Sequence, residues 1–231
     1  MIRCGRLERH RWFAPNIWPA DDEQLRLAVV DYFENAAAVA RRVLDVCAVA
    51  LCLKENFFAA KTDHSTDVLR LVNYLRPAGS EVPVPGQQRM GAHTDYGILT
   101  VLWADPVPGL QIVGPDGAWH DVVPAPGGLM VNLGDLLARW TNDRWRSTLH
   151  RVVPPTGSEG AARRRSAAFF HDGNYDTLVK CLPTCTSDDD PPRYQPVRAG
   201  EHLLAKLVGP RTLTRSDADD TAGDRRPAAA R

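Results

Sequence analysis

The apolar positions of this chain follow two periods, and the change falls near residue 68. Over residues 21–53, DDEQLRLAVVDYFENAAAVARRVLDVCAVALCL, apolar side chains recur every three or four positions: Leu25, Val29, Tyr32, Phe33, Ala36, Val39, Ala40, Val43, Val46, Cys47 and Ala50. That spacing predicts one long helix with a single apolar face. Pro19 stands just ahead of it, and Asp21 or Asp22 can accept hydrogen bonds from its first free N–H groups. A short helix is expected over 54–60.

From residue 68 the pattern shortens. The runs VLRLVNYL (68–75), ILTVLW (98–103), GLQIV (109–113), AWHDVV (118–123), GGLMVNL (127–133), STLHRVV (147–153) and RRSAAFF (164–170) read as strands. ADPVPG, GPDG, PAPG and PPTGSEG separate them, all of turn composition. Many short strands at this spacing predict a mainly β unit, a sandwich or barrel of antiparallel sheets with flanking helices. Within the series DLLARWTNDR (135–144) reads as a helical turn plus loop, and GEHLLAKLVGP predicts a C-terminal helix over about 200–208. The polar, alanine-rich stretch 213–231 has no periodicity and is expected to be a disordered tail, leaving residues 1–212 as a single domain.

Composition narrows the function classes. The 231 residues carry 28 Lys plus Arg against 28 Asp plus Glu, so the basic excess of a nucleic-acid binder is absent and no charge favours a membrane surface. No apolar run approaches the roughly 20 residues that span a bilayer. No apolar stretch follows the basic N-terminus, so no signal peptide is expected. The five cysteines are odd in number and form no C-x-x-C, which points to a reduced, cytoplasmic protein rather than a disulfide framework or structural zinc site.

The chemistry starts at GAHTDYGILTVLW, residues 91–103. If His93 opens an extended strand, His93 and Asp95 point to one side and Thr94 to the other. An isolated H-x-D is more often a polar turn that caps backbone groups, so the rest of the chain has to supply the case for a metal. A downstream apolar strand carries His150, and an antiparallel barrel can bring it beside residues 93–95. Two imidazoles and one carboxylate make the facial triad that holds non-heme Fe(II) and leaves coordination positions open. His120, in AWHDVV, is the competing histidine and reads as a solvated strand residue. In RRRSAAFF (163–170), strand parity puts Arg164 and Ser166 on one face with Phe170, and Arg165 on the other. A buried guanidinium needs an anion, and its fork suits a carboxylate. A small diacid fits both features, with one end on the metal and the other on Arg164 and Ser166. The plainer alternative is a solvated strand start.

HTDYGILTVL, GLQIVGPDGAWHDV, GGLMVNLGDLLARWTNDRWRSTLHRVV and RRSAAFF together resemble the isopenicillin N synthase-like family of 2-oxoglutarate- and Fe(II)-dependent oxygenases, from about residue 15 to about 210. The resemblance implies a double-stranded β-helix (jelly-roll, cupin-like) core over about 68–175, preceded by the long helix. It implies iron on His93, Asp95 and His150, and the distal carboxylate of 2-oxoglutarate on Arg164 and Ser166, joined by Tyr74. O2 is the other co-substrate, succinate and CO2 are released, and a small molecule, of secondary-metabolic type, is hydroxylated, desaturated or cyclised. Tyr96, Trp103 and Phe170 are candidate substrate-lining groups, with Leu102 and Asp172 behind them. NLGDLLARW is expected to position the strand bearing His150.

Val72 and Leu75 depart from the family's usual asparagine before, and proline after, the tyrosine. The chain also begins almost at the helix, where family members carry a preceding strand-bearing segment. An exposed sheet edge is then expected to need covering by a second copy or a partner. Two other functions stay open: an impaired barrel serving as a structural or interaction module, and an iron oxidase that does not use 2-oxoglutarate. A cupin-like isomerase or hydrolase leaves Arg164 and Ser166 unexplained.

Overall fold

The protein is described by a computed structural model that covers residues 2–3, 12–75, 83–84, 86–154 and 163–212. The expected tail and Cys4 lie outside those residues.

The long helix forms as α1, Glu23–Ala50. Asp22 caps it, its side chain accepting from the Leu25 N–H at 2.9 Å. Its buried face is Val29, Phe33, Ala36, Ala37, Ala40, Leu44 and Ala48. This stripe departs from the expected one at both ends: Leu25 in the first turn is 41% exposed and Val46 near the C-terminus 69%, while Leu44 is buried. Steps of three and four from Val29 lead to Leu44 and Ala48, and Val46 lies about 160° from Ala48 around the axis at 100° per residue. Where a short helix was expected over 54–60, turns lead into a 3-10 segment, Ala59–Lys61.

Among the described residues eleven strands follow the chain order β1 (Ile2–Arg3), β2 (Val68–Tyr74), β3 (Met90–His93), β4 (Leu99–Ala104), β5 (Leu110–Val113), β6 (Trp119–Asp121), β7 (Met130–Leu133), β8 (His150–Val152), β9 (Arg164–His171), β10 (Leu178–Val179) and β11 (Val197–Arg198). Two further helices are α2 (Asp135–Trp140) and α3 (Ala199–Thr212). β1, β2, β9, β4 and β7 make a five-stranded antiparallel sheet; β3, β8, β5 and β6 make a four-stranded one.

Register fixes what each face of the large sheet carries. Across β2 and β9, Tyr74 opposes Arg164, Val72 opposes Ser166, and Arg70 opposes Ala168. Across β9 and β4, Ser166 meets Ala104, Ala168 meets Leu102, and Phe170 meets Thr100. Directly paired residues share a face, so these belong together. The other face, with Leu69, Val101, Ala167 and Phe169, is buried under α1, where Phe33 meets Phe169 edge-on at 5.0 Å. Apolar burial on this side leaves the first face free to look toward the small sheet.

One local expectation is corrected here. His93 does not open an apolar strand; it closes β3 in the small sheet, and Asp95 sits in the loop that crosses to β4 in the large sheet.

Candidate functional site

His93 and His150 are directly paired across β3 and β8, with ring centroids 4.3 Å apart. Each ring places Nδ1 against a main-chain carbonyl, His93 on Gly91 O at 2.7 Å and His150 on Thr148 O at 2.9 Å. A carbonyl can only accept, so each Nδ1 carries a proton, and in the neutral form of either ring the lone pair falls on Nε2. Both Nε2 atoms turn to one carboxylate oxygen: Asp95 Oδ1 lies 3.9 Å from that of His93 and 3.6 Å from that of His150. Asp95 is buried, and its other oxygen accepts from Thr100 Oγ1 at 2.6 Å and Asn132 Nδ2 at 2.8 Å. Burial holds the His93 imidazole below its ordinary pKa, with lesser contributions from the carbonyl of Gly91, which raises it, and from His150. Neutral imidazoles and an ionised carboxylate are what a divalent cation requires. Among the described residues these three are the group whose ligand atoms converge, all within 4.8 Å. His120 shares the same row through Ile112 but stands two strands beyond His150, about 10 Å away. It is exposed and bonded to Asp116 at 2.9 Å.

The loop between β3 and β4 is held by the turn into α2. Asp135 N–H donates to Asp95 O at 2.8 Å, Leu136 N–H to Gly97 O at 3.0 Å, and Gly134 N–H to Ile98 O at 2.8 Å. A Cβ at position 134 would stand 2.2 Å from Gly97 O, so only glycine allows this approach. The stretch expected to position the strand of His150 thus grips Asp95 directly, through Asn132 and this turn. Thr100 and Asn132 were not anticipated as neighbours of the site. A lone hydroxyl inside the apolar run ILTVLW was the available signal, since a buried hydroxyl needs a partner.

Farther along the same inner face, Arg164 is 2% exposed. Its guanidinium forms no hydrogen bond or ion pair with a described residue, and Nε is buried without a partner. Burial lowers its pKa, partly offset by the charge of Asp105 and by Tyr74. Asp105 is committed elsewhere: its Oδ2 accepts from the Arg165 N–H at 2.7 Å. Ser166 is buried beside Arg164 on the same strand face, and Tyr74, under the Arg89 guanidinium at 5.6 Å, faces Arg164 across the register. Arg165 points to the other side and is 58% exposed. An unpaired buried cation is costly. Its orphaned donors beside a hydroxyl match the carboxylate end of a small diacid, so the residues fit such a co-substrate on the chemistry of the donor set alone.

Of the candidate lining groups, Phe170 and Leu102 lie on the inner face, half-buried. Trp103 does not: it opposes Ala167 on the outer face and is 39% exposed, because strand parity sends it away from its neighbour Leu102. Tyr96 follows Asp95 in the loop, half-buried near Lys206 of α3, and burial, then Asp135 and Asp95, raise its pKa. The Asp172 N–H donates to Asp67 at 3.1 Å beyond the end of β9.

Comparison with known proteins agrees with this geometry. Residues 66–173 match the 2OG-Fe(II) oxygenase superfamily. The chain is 38% identical over 188 residues to the 2-oxoglutarate-Fe(II) type oxidoreductase hxnY of Emericella nidulans, covering 79% of this chain and 52% of that protein. It is 34% identical to azadirone synthase LFS of Melia azedarach (85% and 59% covered) and 31% identical to validamycin A dioxygenase of Streptomyces hygroscopicus (85% and 54%). It superposes on a full-length Neurospora crassa protein crystallised in complex with alpha-KG with a TM-score of 0.81 at 33% identity, over 90% of this chain and 64% of that one.

This chain belongs to the 2-oxoglutarate- and Fe(II)-dependent oxygenase superfamily, and its two sheets are the double-stranded β-helix of that family. It spans little more than half the length of these curated relatives.

Proposed function

We propose that the protein is a 2-oxoglutarate-dependent non-heme iron dioxygenase that oxidises a small molecule with O2 and releases succinate and CO2. The observation that carries this reading is the buried Arg164 guanidinium, without a partner among the described residues, on the same inner face that carries Thr100 and Asn132, the residues holding Asp95. In this reading His93 Nε2, His150 Nε2 and Asp95 Oδ1 hold Fe(II), and Arg164 with Ser166 holds the distal carboxylate of 2-oxoglutarate. Tyr74 walls that end. When bound, the metal would activate O2, the oxidant, while 2-oxoglutarate would give up two electrons on its way to succinate and CO2, leaving the other two to come from the substrate in hydroxylation, desaturation or ring closure.

The chain's own residues do the rest. The carbonyls of Gly91 and Thr148 fix both tautomers. Thr100 and Asn132 hold one oxygen of Asp95 and turn the other toward the imidazoles. Val72, Leu102, Ala168 and Phe170 give the inner face an apolar lining that limits water. Phe170 and Tyr96 flank the space for the substrate. Relatives named azadirone synthase and validamycin A dioxygenase support a secondary-metabolic small molecule.

No described helix is long and apolar enough to cross a membrane. The four described cysteines, Cys47, Cys52, Cys181 and Cys185, are free, which supports a reducing compartment such as the cytoplasm. Among the described residues β1 pairs with β2 at Val68 and Leu69 and no strand is described along the rest of that β2 edge, which supports a second copy or a partner there. Size-exclusion chromatography with light scattering tests that part, and a monomer overturns it.

The deciding experiment adds Fe(II) and then 2-oxoglutarate to the protein without oxygen. A visible metal-to-ligand charge-transfer band, lost in His150→Ala, is expected. Absence of the band from folded protein overturns the reading, and iron binding without a 2-oxoglutarate response points to an oxidase that dispenses with it.

A further inference from the structure

One charged side chain on the inner face has no part in either half of the site. Arg70, in the middle of β2, opposes Ala168 of β9, which in turn opposes Leu102 of β4. The row on one side holds Phe170 and Thr100, whose hydroxyl supports Asp95; the row on the other holds Ser166. Arg70 therefore shares the face of both. It is exposed, and it makes no hydrogen bond and no ion pair with a described residue. Its charge is felt at His93, where it opposes protonation.

A cation in mid-strand on an inner face is not accounted for by sheet packing, since its row neighbours Ala168 and Leu102 are apolar and half-buried. Nor does it belong to the carboxylate anchor at Arg164. Four residues of extended chain separate Arg70 from Tyr74, the partner of Arg164, about 14 Å along the strand. We propose that Arg70 is a substrate-anchoring residue and that the primary substrate is an amphipathic carboxylic acid, its carboxylate on the Arg70 guanidinium and its apolar body against Leu102, Ala168 and Phe170. The proposal rests on the oxygenase reading above. The planar fork of arginine matches a carboxylate through two parallel hydrogen bonds.

The test uses protein loaded anaerobically with Fe(II) and 2-oxoglutarate, after a thermal shift with 2-oxoglutarate has been recorded. Phenylacetate, cyclohexanecarboxylate and indole-3-acetate are titrated, each beside its primary amide, with calorimetry reading Kd. At least one acid is expected to bind about tenfold tighter than its amide, as a charge-assisted pair provides. Arg70→Gln should remove that preference and leave the 2-oxoglutarate shift in place, while Arg70→Lys keeps part of it. If no acid outbinds its amide, or the preference survives in Arg70→Gln, the proposal falls. A loss of 2-oxoglutarate binding in Arg70→Gln as large as the loss of acid binding also overturns it, by assigning Arg70 to the co-substrate. A wild-type protein without any 2-oxoglutarate shift instead marks failure of the oxygenase reading.

Discussion

The two ends of the inner face are finished to different degrees. At the triad, every ligand atom not aimed at the centre already has a protein partner: both Nδ1 atoms bond a carbonyl, and Asp95 Oδ2 accepts two hydrogen bonds. At the other end, Arg164 is 2% exposed, deeper than either imidazole, and its guanidinium has none among the described residues. The first is a geometry held ready by its surroundings; the second is a buried charge with no counter-ion among the described residues. Preorganisation lets a metal enter without rearranging its ligands. An orphaned guanidinium instead lowers stability until a carboxylate reaches it.

Substitutions can sharpen that contrast. The largest effect is expected at the triad, where His93→Ala, Asp95→Ala or His150→Ala should abolish Fe(II) binding measured by metal analysis of folded protein. Stoichiometric iron retained by any one of them would remove that residue from the ligand set. Next comes Arg164→Leu, which should weaken 2-oxoglutarate binding by roughly 2–5 kcal/mol. It should also leave the melting temperature unchanged or raised, because a buried unpaired charge is lost. Arg165→Ala, on the exposed face, should change the free energy of 2-oxoglutarate binding and that of unfolding each by less than about 0.5 kcal/mol. A lowered Tm in Arg164→Leu breaks the comparison. Asn132→Ala and Thr100→Val should each reduce iron affinity by roughly 10–100-fold while all three ligands remain. Gly134→Ala acts on stability rather than on a ligand: the new methyl meets the Gly97 carbonyl and should cost about 1–3 kcal/mol, read by chemical denaturation.

Much of this was legible from periodicity. The helix over 21–53 and the strand around RRSAAFF emerged within a few residues of their observed ends, and parity alone separated Arg164 from Arg165. Parity failed where the chain is not extended. His93 and Asp95 do converge, yet through a crossing between sheets rather than along one strand, because β3 ends at His93. Met90–His93 itself was not foreseen as a strand: two of its four residues are small, and it carries no alternation. Trp103 shows the reverse error, since its size suggested a wall and its place in β4 sends it outward. The grip of Asn132 on Asp95 links residues 37 apart, which no local pattern reports.

The three converging atoms come from both layers. His93 and His150 belong to the small sheet, whereas Asp95 is tied through Thr100 and Asn132 to the large one. An ion seated there would act as a rivet through the sandwich. At a hundredfold excess over its Kd it would add about 2.7 kcal/mol to the free energy of unfolding, a sizeable share of what keeps a domain of this size folded. Iron supply and the lifetime of the folded chain would then be one variable, and a chelator would loosen the two layers that keep water from the reacting centre.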